Sequence, residues 1–139
     1  MTVRTEVLET LQRRQRELVA GQTSRSRRLR EAAQALEVLP VRCVWGRDYG
    51  IRLADAEVVS FNARPPHDPT VETDRRVRTI VLGFACGRHP ELAPLVPPRP
   101  GDARECPQCG GSGRARGKGG ERTCSGCGGL GWSVPPLGA

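Results

Sequence analysis

The sequence predicts an α+β protein: an N-terminal helix or helical hairpin, a small antiparallel sheet, and a C-terminal β-hairpin module stapled by cysteines. Three observations carry this. Apolar residues recur at helical spacing through residue 39. From Val41 the apolar period shortens to two. Near the C-terminal end, Cys106-Pro-Gln-Cys109-Gly-Gly-Ser-Gly113 is answered by Cys124-Ser-Gly-Cys127-Gly-Gly-Leu-Gly131, both reading C-x-x-C-x-G-x-G.

Residues 3–39 read as helix, broken or bent near Gly21-Gln22-Thr23-Ser24. Leu8, Leu11, Leu18, Leu29, Ala32, Leu36 and Leu39 fall on heptad a and d positions, while Gln15, Gln22 and Arg25 interrupt that seam. Two arrangements follow: a hairpin with Thr23 or Ser24 capping a second helix, or one long helix paired with another chain as a homodimer. The glycine beside two cap-type residues favours the hairpin or a strong bend. The clusters Arg13-Arg14-Gln15-Arg16 and Arg25-Ser26-Arg27-Arg28-Leu29-Arg30 have no interleaved aromatics to stack on bases, and Glu6, Glu9, Glu17 and Glu31 offset their charge. A solvated helix face is the plainer reading, with phosphate or RNA contact as the sharper one.

Beyond residue 40, Val41, Cys43 and Trp45 alternate with Arg42 and Val44 up to a turn at Gly46-Arg47-Asp48-Tyr49-Gly50. Ile51–Leu53, Val58–Phe61 and Val77–Cys86 read as further strands, with Ile80, Leu82, Phe84 and Cys86 sharing one face of the last. Cys43 and Cys86 are expected to be small buried hydrophobes. Cys86 and His89 have C-x-x-H spacing but lack a second compact pair, so they make a weak metal candidate. His89-Pro90-Glu91-Leu92 reads as a short helical turn with proline at its first position. The predicted organisation is a helical segment at 1–40, a β region at 41–93, a proline-rich linker at 94–103, the cysteine module at 104–132 and an apolar tail at 133–139.

The cysteine module has a definite chemistry. Fourteen residues, 110–123, separate the inner cysteines, a spacing suited to a four-thiolate zinc site. Each C-x-x-C turn aims two sulfurs at one point about 2.3 Å away, and two turns complete a tetrahedron. Cys106, Cys109, Cys124 and Cys127 are the expected ligands of one structural zinc. Gly111, Gly113, Gly129 and Gly131 allow a tight backbone whose N–H groups reach the sulfurs. With four sulfurs as ligands no coordination position stays open for water, so the metal is expected to be structural and not catalytic.

This repeat, glycines included, resembles the cysteine-rich zinc-binding domain of DnaJ-type co-chaperones. That domain pairs four such units into two zinc centres on an extended hairpin that handles unfolded clients. Two units here imply one centre and a half-length version, over about a fifth of the chain (residues 104–132). The J-domain's His-Pro-Asp tripeptide between two helices has no counterpart. His89-Pro90-Glu91 and His67-Asp68-Pro69 lie in other settings, so the resemblance does not extend to stimulating a partner ATPase.

Composition sets the remaining bounds. In 139 residues, a hydrophobic share of 37% with 4% aromatics leaves a thin core, and 17 glycines with 12 prolines take much of the chain out of regular structure. A metal staple is what such a chain needs at one end. The net charge of +7 divides into +3, +2 and +2 over residues 1–40, 41–100 and 101–139, which points to no single basic domain. Six cysteines behind a charged N-terminal stretch without an apolar run suggest a reducing, cytoplasmic setting, and nothing reaches the length of a membrane span. No catalytic triad, P-loop or H-E-x-x-H helix is present, so a non-enzymatic protein is expected. The leading expectation is a protein-binding module with a client or assembly partner, contacting it through Arg114, Arg116, Lys118 and Trp132. The alternative is an RNA- or ribosome-binding zinc protein using the arginine-rich helix and the basic hairpin tip.

Overall fold

A computed structural model describes residues 5–20, 27–41, 48–117 and 120–134. The expected break at Gly21–Ser24, the strand through Cys43 and Trp45, the tip residue Lys118 and the tail from Pro135 lie outside the described residues. The chain divides into two compact units, Met1–Glu72 and Thr73–Ala139.

The first unit is a helix pair on a four-stranded antiparallel sheet. Helices α1 (Thr5–Ala20) and α2 (Arg27–Leu36) pack on each other and on the first strand, the hairpin of the two arrangements. α1 buries Val7, Leu11 and Gln15. Gln15, an interruption on the heptad reading, is a link between helices: its Nε2 donates to the Ala33 carbonyl at 3.4 Å.

Helix α2 ends three residues earlier than expected. Glu37 takes φ 54°, which no helix interior tolerates, and the chain turns straight into β1 (Val38–Val41). Leu39 is therefore a strand residue and not the last heptad position. The sheet runs β1-β2-β3-β4, with β2 at Asp48–Arg52, β3 at Val58–Phe61 and β4 at Thr70–Val71. The expected turn at 46–50 is corrected in its second half, since Asp48, Tyr49 and Gly50 already pair in β2.

The register sets two apolar rows. Leu39, Ile51 and Val58 are cross-strand neighbours on one face, and all three are buried. Val38, Val59 and Phe61 lie on the other face, where they form a core with Ala32 and Ala33 of α2, flanked by Leu29 and Leu36. The two alanines let the helix sit close to the sheet.

In the second unit one expectation is overturned. Val77–Cys86 is not a strand; it lies within helix α3 (Arg75–Arg88). Asp74 caps it, accepting from the Arg76 N–H at 2.9 Å. Burial shows why alternation misled. Val81, Gly83 and Ala85, which a strand would turn outward, are buried, whereas Leu82, Phe84 and Cys86 are only half-buried.

Local preference opposes this helix. Val77, Thr79, Ile80 and Val81 are β-branched, and two glycines, Gly83 and Gly87, each cost about 1 kcal/mol relative to alanine in a helix interior. Packing holds it instead. A 3-10 helix follows at Pro90–Leu95 with Pro90 in its first turn and Leu92 buried. Arg75 clamps Asp102 through one guanidinium nitrogen, 2.5 Å from each carboxylate oxygen, and so ties the start of α3 to the end of the proline-rich stretch.

Candidate metal centre

Residues 104–133 form the cysteine module. β5 (Arg104–Glu105) pairs with β8 (Trp132–Ser133) and closes it, and β6 (Arg114–Gly117) pairs with β7 (Gly120–Thr123) as the hairpin arm. Between these ladders the two C-x-x-C turns face one another.

The turns are built alike. Gly110 N–H donates to the Cys106 carbonyl, and Gly128 N–H to the Cys124 carbonyl, both at 2.8 Å. Gly110 and Gly128 have φ 63° and 67°, Gly111 and Gly129 both 89°, and Gly113 and Gly131 76° and 83°. These left-handed values are the reason glycine stands at all six positions. Each turn also locks the other: Cys106 N–H donates to the Gly131 carbonyl and Cys124 N–H to the Gly113 carbonyl, both at 3.0 Å. The two repeats are thus related by a local pseudo-twofold axis.

That axis brings the four expected ligands together. The Sγ atoms of Cys106, Cys109, Cys124 and Cys127 all lie within 4.8 Å of one another. Cys106 and Cys124 are 3.9 Å apart, and Cys109 and Cys127 3.8 Å. Four thiolates about 2.3 Å from one ion in a tetrahedron would stand about 3.8 Å apart, the separation these two pairs show. Cys106, Cys124 and Cys127 are buried, and Cys109 is the most accessible of the four.

Backbone N–H groups serve the sulfurs. Gly113 N–H donates to Cys109 Sγ and Gly131 N–H to Cys127 Sγ, both at 3.3 Å. Burial pushes the Cys109 thiol up, but the N–H groups of Gly113 and Gly111, with the adjoining thiols, outweigh it and bring the thiol down to about 6. Burial lifts the Cys127 thiol to about 12 against the N–H groups of Gly131 and Gly129, and burial raises Cys124 as well. Of the four predicted glycines, Gly113 and Gly131 thus donate to ligand sulfurs.

The other expected residues are dispersed. Arg114 is exposed on β6 and Trp132 is half-buried on β8, opposite Glu105. Arg116 lies on the β6 backbone. Among the described residues the four-cysteine set is the only metal-ligating cluster, and neither Cys86 nor His89 joins it. Burial raises the Cys86 thiol, with Glu91 adding to the shift, but the side chain is half-buried and not buried as expected.

One contact was not foreseen. A Cβ placed on Gly83 of α3 would lie 2.6 Å from the Gly128 carbonyl oxygen and 3.1 Å from Leu130 Cγ. A Cβ on Gly128 would meet the Ile80 carbonyl oxygen. Helix and cysteine turn thus meet backbone to backbone. A glycine inside an apolar run was the signal for such a close approach.

No protein-family model, curated protein or solved structure matches this chain. The cysteine geometry establishes a site able to hold a metal ion, and no helix among the described residues is long and apolar enough to cross a membrane.

Proposed function

We propose that this is a non-enzymatic zinc protein of the cytoplasm, in which Cys106, Cys109, Cys124 and Cys127 hold one structural zinc and the stapled module binds another protein as client or assembly partner. One observation carries the reading: four sulfurs converge within 4.8 Å of one another while the Gly113 and Gly131 N–H groups donate to two of them. Zinc bound there supplies a rigid cross-link. The C-x-x-C-x-G-x-G resemblance and the partly accessible Trp132 support a protein as the partner.

The test uses zinc-loaded full-length chain as an added holdase. It is expected to suppress aggregation of a chemically unfolded model protein, and Cys124→Ser is expected to lose both the metal and the suppression. One equivalent of zinc without any effect on aggregation would leave a staple with no client role.

A second reading, RNA binding, draws on a specific distribution of charge. Divided at the boundary between units, residues 73–139 carry ten Lys and Arg against five Asp and Glu, and residues 1–72 carry twelve against ten. The second unit therefore holds +5 of the +7, a concentration hidden when the chain is cut at residue 100. RNA affinity falling steeply with salt would favour this reading.

A further inference from the structure

Helix α3 has a sequence that resists being helical, and it packs on the 3-10 helix Pro90–Leu95 and on the second cysteine turn. Ile80 and Gly83, one turn apart, bring the helix backbone against Gly128, with Leu130 Cγ over Gly83. Gly128 holds φ 67° because the Cys124–Cys127 turn closes around its N–H bond to the Cys124 carbonyl. The first turn offers no such seat. Gly110, the counterpart of Gly128, has open space where a side chain would be, and exposed Ser112 stands where the second turn has Leu130.

We propose that α3 is a metal-contingent helix: occupancy of the four-cysteine site docks it through the Gly83–Gly128 contact, and loss of the metal releases it. This rests on the zinc reading above. The logic is a conflict of levels. Four β-branched residues and two glycines disfavour helix locally, so α3 persists only while its packing does. That packing includes a turn whose shape requires Cys124 and Cys127 to converge on one point. Release frees Ile80, Val81 and Ala85 from burial on the helix, turning the second unit into a metal-gated apolar surface.

The experiment is hydrogen exchange on the full chain, read by mass spectrometry, with zinc bound and after zinc removal by a strong chelator. Native mass spectrometry counts the metal. Residues 76–88 are expected to exchange at least 100-fold faster without zinc. One zinc bound with unchanged α3 protection after its removal would overturn the helix proposal and leave the zinc reading standing; no zinc bound at all would overturn both. Two variants separate the seat from general damage to the helix. Gly83→Val, which meets Gly128, is expected to speed α3 exchange at least tenfold or to weaken zinc binding, because the coupling is reciprocal. Gly87→Val, with nothing within 4 Å, is expected to do neither. Equal behaviour of the two variants would sink the proposal.

Discussion

The carbonyl oxygen of Gly129 lies 2.5 Å from where a side chain on Gly113 would begin. Its pseudo-twofold counterpart is the Gly111 carbonyl, 2.6 Å from the Cβ position of Gly131. The two cysteine turns interlock through these glycines, and each of the pair also donates to a ligand sulfur. Gly113→Ala and Gly131→Ala should therefore behave alike. Each combines a positive-φ strain of about 1–3 kcal/mol with a backbone clash. Zinc affinity, measured by chelator competition, should fall about tenfold or more in both.

Substitution of any one ligand should have a larger effect. Cys106→Ser, Cys109→Ser, Cys124→Ser and Cys127→Ser each leave three thiolates and remove the closed tetrahedron. Because metal affinity at such a site is also folding free energy, near-complete loss of tight zinc binding and of ordered amide signals for residues 104–133 is expected. Measuring bound zinc after dialysis against a weak chelator checks this.

Metal binding should weaken as pH falls. The ligands bind as thiolates, and burial holds Cys124 and Cys127 protonated at neutral pH in the metal-free chain, the latter up to about 12. At least two protons must leave these thiols, so apparent affinity should drop by at least about 100-fold per pH unit below neutrality. The stabilisation from metal is thus present at higher pH and lost toward acid. Competition titrations at pH 8, 7 and 6 read the slope directly.

The path from sequence to structure was uneven, and particular residues show why. The cysteine cluster was legible because C-x-x-C-x-G-x-G encodes sulfur positions and left-handed glycines within eight residues, with little help from tertiary context. Val58–Phe61 was legible because a short apolar run between turns has few alternatives. Val77–Cys86 reads as a strand since its β-branched residues favour one, and what overrules them is packing on Pro90–Leu95 and on Gly128, the latter distant in sequence. Gln15 was misread for the opposite reason: a buried polar side chain breaks a heptad on paper yet satisfies a carbonyl on the neighbouring helix.

The sheet offers a test of the first unit. Ile51 is fully buried in the row with Leu39 and Val58. Ile51→Ala should destabilise by about 2–5 kcal/mol through lost burial and a residual cavity. Denaturant unfolding followed by far-ultraviolet circular dichroism reports it.

The clamp between Arg75 and Asp102 makes a prediction about acid. The side-chain hydrogen bond from Arg75 holds the Asp102 carboxyl below the usual carboxylate range. Its favourable contribution is present above that range and disappears as pH falls through the depressed value. In Arg75→Gln the Asp102 titration, followed by carboxyl-carbon NMR, should move back up to the ordinary range.

The pseudo-twofold relation between the cysteine turns has a consequence for their assembly. A turn carrying two cysteines and three positive-φ glycines is half of a metal centre, and each half completes the other by exchanging backbone hydrogen bonds. Two separate peptides of that kind would assemble around one ion only at sufficient concentration. Joining them through the β6–β7 hairpin makes their meeting intramolecular, with an effective concentration on the order of millimolar that no dilution changes. The hairpin thus replaces a concentration-dependent pairing of two half-sites with an intramolecular one.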